Sequence, residues 1–304
     1  MLRLTMELAL QRSQGSDDLA TMRAVELRAR KEQMIELAER AARIVNETAH
    51  RMGARMGLPA EWDVVERMAG TDGALLKKDE ETAAELLKRV QDLVNATFWG
   101  WGGHGARTRT RDRGTEPVAK GLQVMSVIYV QNAEVFVNYR ARRAEIAGVM
   151  KPDMPIGDVW DVKTASVPLA GVGRMKENPV DPKINEHYLW HGITDANFDL
   201  TRAGTAFGSL FGPGIYLAES CMKADEYTQA DHRGYFPLLL CRAVLGNVLY
   251  CDHPSPVEIS ASLVAACGER GGHHSVLGDR EKVNGTFREF IVPGLVQVFT
   301  HRFL

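Results

Sequence analysis

The second half of the chain contains short runs of apolar residues separated by glycine, aspartate and proline, and this spacing restricts its possible folds more than any other feature. Runs of this length, rich in Val, Ile and aromatic residues, are typical of buried strands, whereas helices need longer uninterrupted segments. We therefore predict a β-sheet in this region. The predicted strands are HYLWHG (residues 187–192), GIYLA (214–218), FPLLLCRAVLG (236–246) and TFREFIV (286–292).

The first third of the chain has a helical pattern instead. Residues 17–52 contain no Gly or Pro, and their apolar residues recur at steps of three and four, as on one face of a helix. We interpret this stripe as a core or partner-helix contact. A short helix is expected at residues 62–70, and another after Asp79 with Leu86, Val90 and Leu93 on its apolar face. The stripe of the first helix consists of Met34, Ala38, Ala41, Val45, Ala49 and Met52.

The middle of the chain joins these two regions. QVMSVIYVQN (residues 123–132) predicts a buried strand, and the segment that follows it, up to residue 150, returns to helical spacing. Residues 151–186 contain several prolines and are expected to be loop-like. The pattern as a whole predicts an α+β protein. We divide it into a helical N-terminal extension at residues 1–78 and a larger domain at residues 79–304.

Charge and cysteine content exclude several classes of protein. The 304 residues include 37 Lys and Arg and 39 Asp and Glu, and this near-balance of charge excludes a wholly basic nucleic-acid coat protein. The four cysteines include no C-x-x-C pair, which excludes a zinc ribbon, and they are expected to be reduced thiols. No apolar run has the length of a membrane span, and Glu7 interrupts what would be the apolar part of a signal peptide. We expect an intracellular protein, nuclear or cytoplasmic, with no membrane partner.

Two motifs near residue 105 resemble ligand-binding motifs, but their sequence context does not favour that function. Gly100, Gly102 and Gly105 match G-x-G-x-x-G, but a dinucleotide site needs a strand before this motif, and here a helix precedes it. The alternating arginines at residues 107–113 are interpreted as the exposed face of an edge strand, with phosphate contact as the alternative. Nucleic-acid binding through TRTRDR is not favoured, because no aromatic residues alternate with the arginines.

Three segments carry a more specific signal when they are taken together. NEHYLWHG, FGPGIYLAESCMKADEY and HSVLGDREKVNGTFREFIV follow one another between residues 185 and 292. In this order they resemble the catalytic domain of the poly(ADP-ribose) polymerase family, and the resemblance covers residues 86–304. It implies an α+β fold, the ADP-ribosyltransferase split antiparallel β-sandwich with flanking helices. It also implies NAD⁺ as co-substrate and no metal site.

The resemblance assigns a catalytic triad of His191, Tyr216 and Glu289. His191 is expected to donate a hydrogen bond to a ribose hydroxyl. Glu289 is expected to stabilise the positive charge that develops on the ribose as the bond to nicotinamide breaks. The backbone of Gly192 can offer both N–H and C=O to the nicotinamide carboxamide, and Tyr216 and Tyr227 can cover the two faces of the cationic ring.

The sequence also departs from the family pattern at two places, and these departures leave two functions open. Ala224, expected in the NAD⁺ site, stands where the family usually has a serine that bonds the carboxamide, a loss of about 1 kcal/mol in binding. The segment between His191 and Phe207 is shorter than in most members. The first function is transfer of ADP-ribose to protein acceptors, singly or as a polymer, with release of nicotinamide, which makes the chain a glycosyltransferase. The alternative is a weakly active or inactive member that binds NAD⁺ or a protein partner.

Overall fold

The computed structural model describes residues 16–56, 58, 74–75, 80–98, 120–129, 133–150, 161–169, 179–192, 210–267 and 272–303. The chain forms two compact units, Met1–Met56 and Gly57–Leu304. Leu58 lies in the core of the second unit, where it packs with Phe136 and Tyr139. The division of the chain at residues 78 and 79 stays a prediction. The helix expected at residues 62–70 and the arginine strand at 107–113 lie outside the described residues.

Three long helices form where the apolar periodicity predicts them: α1 (Ser16–Met56), α2 (Glu80–Thr97) and α3 (Ala133–Val149). On α2, Leu86, Val90 and Leu93 are fully buried and belong to a cluster with Trp190, as expected for a helix packed on the sheet. On α1 the same kind of stripe is exposed, since Met34 is 66% accessible. No helix in the described parts of the chain is both long enough and apolar enough to span a membrane.

The sheet contains nine strands among the described residues, in the order β1-β2-β9-β5-β3-β4-β8-β7-β6. The pair β6–β7 is parallel and the other pairs are antiparallel, which confirms the α+β class. The four strands predicted in the second half of the chain correspond to β3, β4, β5 and β8. The strands are β1 Ala74–Leu75, β2 Val127–Tyr129, β3 Glu186–Gly192, β4 Ile215–Ala218, β5 Leu238–Val244, β6 Val248–Cys251, β7 Ser275–Asp279, β8 Arg288–Val292 and β9 Val298–Phe303.

Short helical segments connect these strands. They are α4 Cys221–Asp225, α5 Ser260–Ala266 and α6 Arg280–Asn284, together with 3₁₀ turns at Lys163–Ser166, Pro182–Ile184, Pro256–Ile259 and Leu295–Gln297. The first two turns lie in the segment predicted to be loop-like, where prolines interrupt longer elements. All four cysteines are free thiols, as predicted.

The sheet is split between β3 and β4. Strand β3 pairs with β5 along its whole length, but with β4 it forms a single register pair, Trp190 with Ala218. Thr97, at the end of α2, spans this narrow junction. Its hydroxyl accepts a hydrogen bond from the Trp190 indole at 3.0 Å, and its carbonyl accepts one from the Ser220 hydroxyl at 3.0 Å. Helix α2 therefore holds both sides of the split.

A buried group of charges anchors α3 to the start of β3. The Glu186 carboxylate, whose side chain is fully buried, accepts hydrogen bonds from the Tyr139 hydroxyl and from the guanidinium groups of Arg143 (3.2 Å) and Arg242 (2.5 Å). Burial raises the pKa of Glu186, but the hydrogen bond and charge of Arg242 outweigh it, so that the pKa is lowered from 4.5. The carboxylate is therefore ionised in the folded protein.

Replacing this carboxylate is expected to destabilise the second unit. Glu186→Gln leaves the guanidinium of Arg242, whose side chain is 4% exposed, without its counter-charge, at a cost of about 3–5 kcal/mol in the free energy of unfolding at pH 7. Glu145→Gln, which removes an exposed carboxylate from α3, should change this free energy by about 0.5 kcal/mol or less. Urea titrations of both variants measure the difference.

The contribution of Glu186 to the free energy of unfolding also depends on pH. Because the folded pKa of Glu186 lies below its unfolded value, its contribution is complete above about pH 4.5 and is lost as the pH falls through the folded value. The loss of stability between pH 7 and pH 3 should be smaller in Glu186→Gln than in wild type. An equal loss in the two proteins would contradict this assignment.

Candidate active site

His191 lies next to the split in the sheet, one residue beyond the junction at Trp190. Its Nδ1 lies 2.8 Å from the carbonyl oxygen of Tyr216 on β4. A carbonyl oxygen only accepts, so Nδ1 carries the proton and donates. Burial lowers the pKa of His191, although the hydrogen bond to Tyr216 opposes this effect. The ring is therefore neutral at pH 7, with Nε2 an acceptor.

The Tyr216 side chain is held by two hydrogen bonds at its hydroxyl and by packing of its ring. Its hydroxyl donates to the carbonyl of Gly212 at 2.7 Å and accepts from the backbone N–H of Phe211 at 3.0 Å. Its ring is half-buried against the cluster that contains Phe211 and Ile291. The structure thus joins two of the predicted site residues, because the Tyr216 backbone binds the ring of His191 while its side chain orders the segment that precedes β4.

Gly192 ends β3 against helix α4, and the approach leaves no room for a side chain. A Cβ atom at residue 192 would lie 2.0 Å from the carbonyl oxygen of Ala224 and 3.0 Å from the Cβ of Tyr227. The glycine is therefore required by packing, apart from any role toward a ligand. Ala224 is buried, whereas Tyr227 is 43% exposed, so that the Tyr227 ring is accessible at the edge of this contact.

Glu289 lies on β8, directly opposite Ala218 of β4 and Gly278 of β7. The residue is only 6% exposed. Its Oε1 atom lies 3.7 Å from the ammonium of Lys223 on α4. A buried carboxyl group beside a single ammonium is the type of side chain expected of the third triad residue.

Lys223 is a site residue that the motif reasoning missed. Its ammonium donates to Glu226 at 2.9 Å and to the Tyr227 hydroxyl at 2.9 Å, and it lies 4.6 Å from the centre of the Tyr227 ring. Burial lowers the pKa of Lys223, but the charges of Glu289 and Glu226 have the larger effect, so that the pKa is raised overall. The ammonium therefore stays protonated. Its spacing of three and four residues from Glu226 and Tyr227 is the signal that could have identified it.

A second buried ion-pair group lies beside Glu289. The Glu219 carboxylate accepts two hydrogen bonds from Arg288, at 2.7 and 2.6 Å, and one from the backbone N–H of Lys163 at 3.0 Å. The Lys163 ammonium lies 3.2 Å from Glu219 and donates to Glu281 at 2.7 Å. Because Arg288 and Glu219 adjoin the paired residues Glu289 and Ala218, this group stabilises the strand register that places Glu289.

Comparison with known proteins identifies the family. Residues 111–271, just over half of the chain, match the family model described as the poly(ADP-ribose) polymerase catalytic domain. The chain belongs to this family. The matched range contains His191, Gly192, Tyr216, Ala224 and Tyr227, and Glu289 lies beyond its end. Catalytic domains of poly(ADP-ribose) polymerases are ADP-ribosyltransferases that use NAD⁺ as substrate, and the fold described above is consistent with theirs.

A curated relative matches a shorter stretch. The poly [ADP-ribose] polymerase tankyrase of Caenorhabditis elegans is 35% identical over 77 residues, which cover 22% of this chain and 3% of that protein. The chain thus spans only a small fraction of the length of this relative.

Within the described residues, no group of three or more His, Cys, Asp or Glu side chains is arranged to hold a metal ion.

The contact at Gly192 gives a direct test of the site's packing. Gly192→Ala must displace α4 or β3, since the new Cβ would overlap a backbone oxygen. We expect a loss of about 1–3 kcal/mol in the free energy of unfolding and a loss of at least tenfold in affinity for benzamide, a nicotinamide analogue. Calorimetric titration with benzamide measures the second effect.

Gly121→Ala is the matched control. An added Cβ at residue 121 meets no atom within 4 Å, so both stability and benzamide affinity should stay at their wild-type values. If Gly192→Ala behaved like this control, the close approach of α4 to β3 would be wrong.

Proposed function

We propose that this chain is an active ADP-ribosyltransferase that transfers ADP-ribose from NAD⁺ to a protein acceptor and releases nicotinamide. The observation that carries the proposal is the buried carboxylate of Glu289 on β8, 3.7 Å from the ammonium of Lys223. Family membership supports the reaction type, and the geometry supports the assignment of residues. Free thiols are typical of intracellular proteins, so we place the reaction in the nucleus or the cytoplasm.

In this proposal the glycosidic bond between the ribose and nicotinamide breaks, and its electron pair leaves with nicotinamide. The ribose C1′ becomes positively charged, and the Glu289 carboxylate stabilises this charge electrostatically. The nucleophile of the acceptor then forms a bond to C1′ and loses its proton. In this proposal the Glu289 carboxylate is the base that accepts the proton. Nicotinamide leaves as a neutral molecule, so the leaving group needs no strong general acid.

His191 orients the substrate rather than exchanging protons with it. With Nδ1–H bound to the Tyr216 carbonyl, the neutral ring presents Nε2 as an acceptor, so a ribose hydroxyl would donate to it. This direction is the reverse of the one expected from the sequence, which required the ring to donate. The difference follows from burial, which disfavours the doubly protonated ring.

The nicotinamide side of the site consists of Gly192, Tyr216, Ala224 and Tyr227. The partly exposed ring of Tyr227 would stack on the cationic nicotinamide, and the backbone at Gly192 would supply a donor and an acceptor for the carboxamide. Ala224 adds apolar contact without a hydrogen bond. We therefore propose weaker nicotinamide binding than a serine at this position would give.

Separating binding from chemistry tests the role of Glu289. Glu289→Gln keeps the shape of the side chain but removes the charge that stabilises the ribose, so transfer from labelled NAD⁺ should fall by at least a hundredfold, about 2.7 kcal/mol in the barrier. Affinity for NAD⁺ should change less than threefold. Glu258→Gln, at an exposed position, is the control and should transfer at the wild-type rate.

The alternative function is an inactive NAD⁺-binding or interaction module, which the alanine at residue 224 favours. It predicts NAD⁺ binding in calorimetry without any labelled protein or released nicotinamide in the wild-type chain. Transfer that is present in wild type and equal in Glu289→Gln would instead contradict the mechanism while leaving the activity in place.

The absent carboxamide hydrogen bond can be restored. Ala224→Ser adds a donor at the position where the family usually has one, so benzamide should bind about fivefold more tightly, close to the 1 kcal/mol expected of one hydrogen bond. Fluorescence or calorimetric titration measures the change. Unchanged or weaker binding in the serine variant would show that the carboxamide does not lie beside residue 224.

A further inference from the structure

The ammonium of Lys223 lies between two buried carboxylates. It is 2.9 Å from Oε2 of Glu226 and 3.7 Å from Oε1 of Glu289. The side chains of the two glutamates are 3% and 7% exposed, so neither carboxylate can rely on bulk water for its solvation. One positive charge is therefore shared by two negative charges, and its position decides which carboxylate it neutralises.

Contacts at the C-terminal end of α4 hold this ammonium on the Glu226 side. Lys223 and Glu226 are three residues apart in one helical turn, and the Tyr227 hydroxyl accepts a second hydrogen bond from the same ammonium at 2.9 Å. The Tyr227 ring adds a cation–π contact at 4.6 Å. Glu289, on β8, receives the ammonium only at a distance beyond that of a hydrogen bond.

An ammonium bound directly to Glu289 would weaken the chemistry proposed for it. It would occupy a carboxylate oxygen and cancel the negative charge that faces the ribose, and in a site with little water this effect is large. Keeping the cation close but not bound leaves the Glu289 oxygens available to a ligand.

We propose that Glu226 is a positioning residue that holds the Lys223 ammonium on α4 and so keeps the Glu289 carboxylate available to the ribose of NAD⁺. This inference rests on the proposed function. Glu226 acts through Lys223 and needs no contact with the substrate. Its removal should therefore change the rate of transfer and not the binding of the nicotinamide group.

The experiment is a double-mutant cycle in the full chain. Glu226→Gln should lower kcat for transfer from labelled NAD⁺ at least tenfold, while benzamide affinity changes less than twofold. In a Lys223→Met background the same substitution should change kcat less than twofold, because no ammonium is left to position. An equal loss in both backgrounds would show a merely structural role and overturn the inference.

Two further variants keep the test decisive. Asp252→Asn removes a carboxylate from another lysine pair, with Lys282, and should leave kcat unchanged. Glu226→Asp retains the charge on a shorter side chain, so kcat should fall two- to fivefold with an unchanged melting temperature. A wild-type rate in Glu226→Asp would count against the inference, and this variant serves if Glu226→Gln does not fold.

A crystal structure of Glu226→Gln separates this inference from the proposed function. We expect Nζ of Lys223 to move to within about 3 Å of a Glu289 oxygen, the distance of a charge-assisted hydrogen bond. An ammonium that stayed at 3.7 Å or farther would overturn the inference, whether or not the wild-type chain transfers ADP-ribose. Absence of transfer in wild type together with this movement would contradict only the proposed function.

Discussion

The narrow junction between β3 and β4 is the constraint on which the site depends. Beyond the pair formed by Trp190 and Ala218, the carbonyl of Tyr216 is bound by the His191 ring, where an unbroken ladder would use a backbone N–H. Thr97 on α2 binds residues on both sides of this junction, at Trp190 and Ser220. At this opening in the sheet, the side chains of His191, Thr97 and Ser220 thus form hydrogen bonds in place of part of the missing ladder.

Two groups of buried charges lie on either side of the Ala218–Glu289 pair. Neighbouring residues of a strand point to opposite faces, so Arg288 and Glu289 enter different groups although they are adjacent in sequence. Arg288 pairs with Glu219 and fixes the register of β4 and β8. Glu289 shares the cation of Lys223 with Glu226. The first group is a fully paired structural contact, and the second leaves a carboxylate available.

Much of the fold followed from local pattern. The helices α2 and α3 and the strands β3, β4, β5 and β8 lie where periodicity and turn residues predicted them. Strands β1, β6, β7 and β9 were not predicted, because pairing with neighbours in the sheet decides their conformation more than their own composition does. The apolar stripe of α1 was predicted correctly as a helix face, but periodicity alone cannot show whether such a face is covered.

The sequence by itself determined the family and the chemical identity of the candidate triad, because LWHG, GIYLA and FREFIV are short motifs read without any knowledge of contacts. Only the tertiary structure decided the state of these groups. The tautomer of His191 depends on a carbonyl on another strand, and Gly192 is required by an oxygen on α4. The charge near Glu289 depends on a lysine 66 positions earlier in the sequence. Hydrogen bonds, steric overlap and Coulomb interactions act over a few ångströms of space, which the order of residues along the chain does not specify.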